Sequence, residues 1–458
     1  MSSLSSVLQT RWKYVIAAIV CVTFVWYFCI YSADRFRRQG YGRTDFAVFY
    51  VTAATVTHQM NLSPQDIFNR PVYKEAIASV RRQSGGTKYI YSLSSAWLFS
   101  PLALFSYQHA WKLWMYASVL SVIASYYLSV RYWASADPFQ LRYTLLFAVL
   151  AFGEPVRKLI QTGQVNGFLL LGIVIAGIPL SKQMAPKVAR SLSLLGGALL
   201  GIVAVIKYFS IGFVPVLLLR KQWQMLGSLS VAVLCIVLVS CVIYPPKQVV
   251  QYALGVHGAA VSGDLGRIQD GTTLQASYHA GLEGRETFLG KRVTKQGEWD
   301  IYRILKVSVQ AIGLLCAAVI GGLYVREWWT GQILKTHAYW VLDYTIAMSF
   351  LLLFAAASHR QFHLFFLPFF VWSVSQLSSP ILATVRWNRL KTWKHLWVSE
   401  HAPFFIGMIA LFLTNIYILL VADKNWTVWL FKPETIGIFI IFGTAFYYRF
   451  RHTFHPHK

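Results

Sequence analysis

The chain has 458 residues, of which 56% are hydrophobic and only 13% charged, with a formal net charge of +25. A soluble globular protein carries about 25% charged residues, so a water-soluble fold is excluded and lipid is the solvent for most of this chain. The basic excess suits Lys and Arg in loops that face anionic headgroups, and with no nucleic-acid-binding motif beside it no nucleic-acid partner is expected.

In chain order, apolar runs predict membrane segments at 12–31, 109–133, 141–153, 166–181, 190–206, 207–219, 224–244, 302–325, 338–357, 362–379, 402–422 and 433–448. The first is long enough to span and no small-residue cleavage site follows it, so it reads as a retained helix rather than a signal peptide. Several of the others are shorter than the roughly 20 residues of a straight span. The pair 190–206 and 207–219 reads as a broken or re-entrant hairpin, with Lys207 at its tip and Pro215 on its descending arm. The five cysteines lie in apolar runs without a C-x-x-C pair, as small buried hydrophobes do. The expected fold is therefore all-α: one polytopic integral membrane domain over 1–458, with about 12 membrane segments.

Short loops fix the orientation. Arg131 and Arg142; Lys182, Lys187 and Arg190; Arg220 and Lys221; Arg386, Arg389, Lys391 and Lys394; and Arg449, Arg451 and Lys458 alternate onto the side that carries both termini. The positive-inside rule makes that side cytoplasmic. The long loops 32–108 and 245–301 then face outward. The first carries arginines of its own, but long loops count little in the rule. It also holds helical material. "TDFAVFYVTAATVTHQ" begins with Thr44 at an N-cap position, and 64–82 is amphipathic. Both are expected as interfacial helices on the outer leaflet.

Polar groups then gather on the outer face: Asp45; Glu154, Arg157, Lys158, Gln161 and Gln164 in "FGEPVRKLIQTGQVNG"; Lys207; and His359, Arg360 and His363 in "ASHRQFHLFF". Charge at membrane depth is costly and marks function. Each residue also has a plainer use. Asp45 is a favourable charge at a helix start, Arg157 and Lys158 can snorkel to headgroups, and Lys207 can cap the helix before it. His359 and His363, four apart, make a metal pair only with a further ligand, and none is near in sequence, so no metal is assigned. Taken together the set suits transfer onto a hydroxyl: a carboxylate as general base, and cations to hold a phosphate leaving group. No phosphate-loop or dinucleotide fingerprint occurs, which argues against an ATP-driven pump or a nucleotide-bound donor, and no cofactor is expected.

These stretches resemble, in order, the polyprenyl-phosphate-sugar-dependent glycosyltransferases of family 87, the DUF2029-type mannosyltransferases of GT-C architecture. The resemblance covers about residues 40–370. It is carried by "TDFAVFYVTAATV"; by the segment from Tyr91 with Pro101, Leu102, Ala110 and Trp114; by the G-Q-V-N turn in "LIQTGQVNGFLL"; by the I-K…P…R-K-x-W hairpin through Lys207; and by "ASHRQFHLFFLP". The family's Y-P-P reads Tyr91-Ser92-Leu93 here, and its adjacent His pair reads His359 and His363. The resemblance implies a GT-C-like fold in the cell (inner or plasma) membrane with its active site on the non-cytoplasmic face. It implies transfer of a sugar, mannose in the family's pattern, from a polyprenyl phosphate to a glycolipid or glycan of the cell envelope, with inversion. It implies Asp45 as catalytic base, with Gln164 and Asn166 of the G-Q-V-N turn, Lys207 and a late histidine, His359 or His363, at the donor phosphate; the shared outer position of Arg157 and Lys158 beside that turn makes them further candidate cations there. The alternative class is a transporter or flippase of a lipid-linked saccharide, for which an inverted repeat would be the signature.

Overall fold

A computed structural model describes residues 45–60, 70–81, 91–133, 148, 152–153, 155–181, 184–247, 249–250, 295–331, 340–354, 360–377 and 433–454. Among the described residues the chain is helical and has no strand. The helices are α1 (Asp45–Val56), α2 (Arg70–Arg81), and α3 (Leu93–Ala96), which continues as a 3-10 segment, Trp97–Leu104. Then come α4 (Tyr107–Leu128), α5 (Asn166–Ser181) and α6 (Pro186–Ile206). A 3-10 segment, Tyr208–Phe213, leads into α7 (Val214–Leu219), followed by α8 (Trp223–Ile243) and α9 (Lys295–Trp329). The last are α10 (Trp340–Phe354), a 3-10 segment Arg360–Phe366, α11 (Leu367–Leu377) and α12 (Pro433–Phe454). The expected segments 12–31 and 402–422 lie outside the described residues.

Four described helices are long and apolar enough to cross a bilayer: Tyr107–Trp133, Pro186–Ile206, Trp223–Ile243 and Ala311–Trp329. Other expected spans appear as shorter apolar helices, among them Asn166–Ser181, Ser210–Leu219 and Trp340–Leu353. Length has a physical consequence here. At about 1.5 Å per residue α5 is about 24 Å long, short of the roughly 30 Å hydrocarbon core. It is wrapped by α4, α6 and the Arg360–Phe366 segment. Leu169, Leu170, Ile173, Val174 and Ala176 are buried around it, and of its apolar residues only the strip of Phe168, Leu171, Ile175 and Pro179 is half-buried.

α4 shows the reverse of a soluble amphipathic helix. Its inward face carries Trp111, Trp114, Ser118, Ser121 and Ser125, all buried, while Leu113, Leu120 and Ile123 are exposed. Ser121 and Ser125 return their hydroxyls to the helix backbone, to the Ala117 carbonyl at 2.8 Å and the Ser121 carbonyl at 2.6 Å. Outward leucine and inward hydroxyl is the pattern that lipid selects. α8 is more extreme, with Val231, Leu234, Leu238 and Val242 exposed. It is held by close approach to α6. A Cβ on Gly197 would lie 2.2 Å from the Met225 carbonyl oxygen, and one on Gly201 would lie 2.8 Å from that of Leu229. Two glycines four apart let two helix backbones meet directly, which is how helices associate where apolar burial gives no advantage over lipid.

Two expectations change. α1, expected to lie along the outer leaflet, is buried on all sides: Phe46, Ala47, Phe49, Val51 and Ala53 have no exposed surface. A helix apolar all round belongs in a core, not at an interface. α2 keeps the amphipathic character expected of it, with Ile77 buried and Glu75 and Ser79 exposed. Second, Arg220 and Arg449 do not stand in loops facing headgroups. Both are buried with Asp343 and Glu327. Arg220 donates to Asp343 through Nε at 2.9 Å and also through its terminal nitrogen. Arg449 donates to Asp343 Oδ1 at 2.5 Å and grips Glu327 with two bonds of 2.8 and 2.6 Å. The Tyr324 hydroxyl donates to Asp343 at 2.6 Å. Two cations and two anions thus join the end of α7 to α9, α10 and α12 without net charge. Of the other short-loop cations, Arg131, Lys187, Arg190 and Lys221 are exposed as the orientation argument needs.

Asp343 holds both arginines, so Asp343→Ala should destabilise the fold by about 3–5 kcal/mol, the usual cost of removing one partner of a buried ion pair. Thermal unfolding in detergent, followed by tryptophan fluorescence, reads this. Lys187→Ala, at the exposed start of α6, should stay within about 0.5 kcal/mol.

Candidate active site

The site begins at a turn. The helical segment 155–162 ends at Gly163, which has a φ of 68°. The Gln164 N–H reaches the Leu159 carbonyl at 3.1 Å, and the Gly163 N–H reaches that of Ile160 at 3.3 Å. This bond pair is the Schellman ending, and it requires a residue in the left-handed region. Three residues later α5 starts at Asn166. The G-Q-V-N stretch is therefore a helix–turn–helix link. It directs the Gln164 and Asn166 side chains to the same side, together with the start of α5.

The turn is pressed against α1. A Cβ on Gly163 would lie 2.4 Å from Cβ of Phe46 and 2.6 Å from the Trp111 ring. The Gly163 carbonyl accepts a bond from Trp114 Nε1 at 2.9 Å. Phe46 is packed edge-on to Trp111 with ring centroids 5.1 Å apart, and Phe49 lies 4.7 Å from Tyr91 and 4.5 Å from Phe99. These rings fix the first turn of α1, which carries Asp45.

From the other side comes Lys207. α6 stops at Ile206, and Lys207 is extended, with φ −139° and ψ 121°, before the chain re-enters helix as a 3-10 turn. Its Nζ donates to Gln164 Oε1 at 3.1 Å and to Asn166 Oδ1 at 2.7 Å. It also lies 5.5 Å from the centre of the Tyr91 ring, a cation–π distance. The Tyr91 hydroxyl donates to Gln164 Oε1 at 3.0 Å, and Gln164 Nε2 donates to Asp45 Oδ2. Asp45 and Lys207 are close enough to interact electrostatically. Ser92 supports the arrangement by donating to the Val205 carbonyl at 2.5 Å, which ties the Tyr91 segment to the last turn of α6.

Of the residues singled out from sequence, Asp45, Gln164, Asn166 and Lys207 are thus brought into one hydrogen-bonded group. Arg157 and Lys158 are half-buried on the segment 155–162 that leads into the turn. His363 is buried on the Arg360–Phe366 segment, which packs against α5 and α10. His359, Glu154 and the whole of 251–294 lie outside the described residues. Among the described residues no three His, Cys, Asp or Glu side chains converge in a metal-like set. Tyr91 is the member that sequence reasoning missed. Its signal was present, since it heads the stretch that corresponds to the Y-P-P of the resemblance.

Chemically the group sets a carboxylate beside an ammonium, joined by amides. Asn166 Nδ2 is buried and has no hydrogen-bond partner among the described residues. With Lys207 Nζ and the first turn of α5, it leaves donors gathered at a helix N-terminus, which favours an anion.

A family model for glycosyltransferase family 87 matches residues 89–341. The matched stretch is more than half of the chain and includes Tyr91, Gln164, Asn166 and Lys207; Asp45 and His363 lie outside it. No curated protein and no solved structure matches.

Gly163 is where this geometry is most easily broken. Gly163→Ala places a side chain in the left-handed region, at about 1–2 kcal/mol, and forces it into Phe46 and Trp111, at about 1–3 kcal/mol more. The variant should lose several degrees of apparent Tm in detergent and most of its turnover. A variant with wild-type Tm and turnover would show that the turn does not hold the site.

Proposed function

We propose, since this chain belongs to glycosyltransferase family 87 and its apolar helices are those of a membrane protein, that it moves mannose from a polyprenyl phosphate to a hydroxyl of a glycolipid or glycan acceptor, with inversion. The observation that carries the reading is the joining of Asp45, the G-Q-V-N turn and Lys207. They lie far apart in sequence and share one hydrogen-bonded group.

In this reading Asp45 takes the proton of the acceptor hydroxyl as its oxygen attacks the anomeric carbon. The bond from that carbon to the phosphate oxygen breaks, and its electron pair leaves on the phosphate. A hydroxyl is a poor nucleophile, and a positioned base contributes about 10²–10⁴-fold. The departing phosphate gains charge, and a fixed ammonium stabilises that charge most in the transition state. Lys207 has this role, with the Asn166 amide and the start of α5 beside it. Arg157, Lys158 and a late histidine, His363 or His359, complete the phosphate side. Gln164, assigned to the same side, bonds Asp45, Tyr91 and Lys207. Membership of a transferase family sets aside the transporter alternative.

The placement of cations along the helices supports the sidedness of this reading. Lys207 and Arg220 bracket the Tyr208–Phe213 and Val214–Leu219 segments, about 20 Å of helix at the usual rises. Exposed Lys187 and Arg190 at the start of α6, Lys221 after α7, and Arg131 after α4 all lie at the far end from Lys207. The positive-inside rule assigns their end to the cytoplasm. In this reading the Asp45–Lys207 group opens to the non-cytoplasmic face of the cell membrane, where a polyprenyl-phosphate donor is reached from the lipid.

Two substitutions test the roles, with purified protein, polyprenyl-phosphate mannose and a membrane lipid extract, and mass spectrometry of the lipid products. Asp45→Asn keeps the shape and removes the base; turnover should fall by about a hundredfold or more. Lys207→Ala removes charge-assisted bonds of about 1.5–3 kcal/mol, so donor use should weaken by at least about tenfold. Full turnover in a folded Asp45→Asn protein would move the base elsewhere.

A further inference from the structure

We infer that Gln164 is the positioning residue of the base: its amide, oriented by Lys207 and Tyr91, holds one oxygen of the Asp45 carboxylate and so sets the direction from which Asp45 meets a hydroxyl. The inference rests on the reading of Asp45 as the base.

Hydrogen-bond polarity orients the amide. The two ends of a glutamine amide have nearly the same shape and opposite bonding character. A lysine ammonium has only donors, so the atom of Gln164 that faces Lys207 Nζ at 3.1 Å has to be the oxygen. The Tyr91 hydroxyl donates to the same oxygen at 3.0 Å. A carbonyl oxygen accepts two bonds, one per lone pair, and here both are filled by donors. The NH2 is thereby turned the other way, onto Asp45 Oδ2. A flipped amide would set its N–H groups against an ammonium and its oxygen against a carboxylate, so both ends oppose it. The chain from ammonium to C=O to N–H to carboxylate is polarised in one sense, and each bond strengthens the next.

The position of the amide is as constrained as its orientation. Gln164 is buried, and its backbone is fixed by the bond to Leu159 that closes the Schellman turn. Through Gly163 that turn is seated on Phe46, the neighbour of Asp45. Base and positioning residue therefore share one packing contact. A general base works only if its lone pair is held within a few tenths of an ångström of the productive geometry. A carboxylate on the first turn of a helix has two rotatable bonds and does not meet that condition by itself. Among the described residues, Tyr91 and Lys207 interact with Asp45 electrostatically, and the neighbouring elements carry half-buried Arg157 and Lys158 and exposed His109, Lys112 and Glu75.

The decisive variant is Gln164→Glu. It keeps an oxygen for Lys207 and Tyr91 and replaces the N–H that faces Asp45 with a second carboxylate oxygen. Two carboxylates in hydrogen-bond contact do not both ionise, and one retains its proton. Dicyclohexylcarbodiimide reacts with protonated carboxyl groups, so its attachment to Asp45 as a function of pH, read by peptide mass spectrometry, titrates this residue without substrate. The midpoint should rise by at least about one pH unit relative to the unaltered protein. Gln164→Ala removes a donor to the charged form, and its midpoint should rise in the same direction by less. With polyprenyl-phosphate mannose, Gln164→Ala should lower kcat by about tenfold or more and leave KM for the donor within about threefold, whereas a phosphate-binding role would raise KM. Midpoints that stay put in both variants, with Asp45→Asn inactive, overturn the role of Gln164 alone. Turnover retained in Asp45→Asn, with the midpoints shifted, overturns the base reading and leaves the contact standing.

Discussion

The arrangement of this protein turns on the contact between Gly163 and Phe46. A left-handed residue has to end the segment 155–162 so that α5 can begin three residues later, and a residue without a Cβ has to stand there because Phe46 and Trp111 fill the space beside it. Both demands select glycine, for different reasons. Once the contact is made, the turn carries Gln164 and Asn166, and the helix start carries Asp45, so packing alone brings the polar groups together. The aromatic rings around Phe46 and Phe49 make the seat rigid. Buried ring clusters resist displacement because each ring loses many contacts at once when it moves.

The helices then divide the molecule into two polar ends with an apolar middle. One end gathers Asp45, Tyr91, Gln164, Asn166 and Lys207; the other gathers Arg220, Tyr324, Glu327, Asp343 and Arg449. In the second group Asp343 binds both arginines, and Glu327 binds Arg449. That suits a clamp on four helices. In the first group the Asn166 amide donor has no partner among the described residues, and an ammonium stands at a helix start, where negative charge is favoured. The same residue types thus build two buried polar groups, one joined by amides and one by paired charges.

Two sequence expectations went astray for related reasons. α1 follows a run of arginines in a long loop, and its aromatic residues recur at helical spacing, so an interfacial helix was a natural reading. Periodicity cannot distinguish one apolar face from an apolar surface all round when the intervening residues are Ala, Val and Thr. Arg220 and Arg449 follow apolar runs and read as loop cations. Their partner Asp343 sits early in another apolar run, more than a hundred residues from each. A charge count along the chain has no means of pairing charges across such a separation.

By itself the sequence determined what depends on composition and local order: a membrane protein, helical, with apolar runs in a definite sequence. The same holds for the family, because its motifs are short and contiguous, and for Asp45, Gln164, Asn166 and Lys207 as candidates, because polar residues are costly at membrane depth wherever they occur. Only the tertiary structure decided which of these meet. It joined Asp45 to a turn more than a hundred residues away, brought in Tyr91, and set the Gln164 amide on the Asp45 carboxylate. The physical reason is that hydrogen bonds of about 3 Å demand both position and polarity. Position across such sequence distances is set by helix packing, through glycine contacts and aromatic seats that no local pattern records.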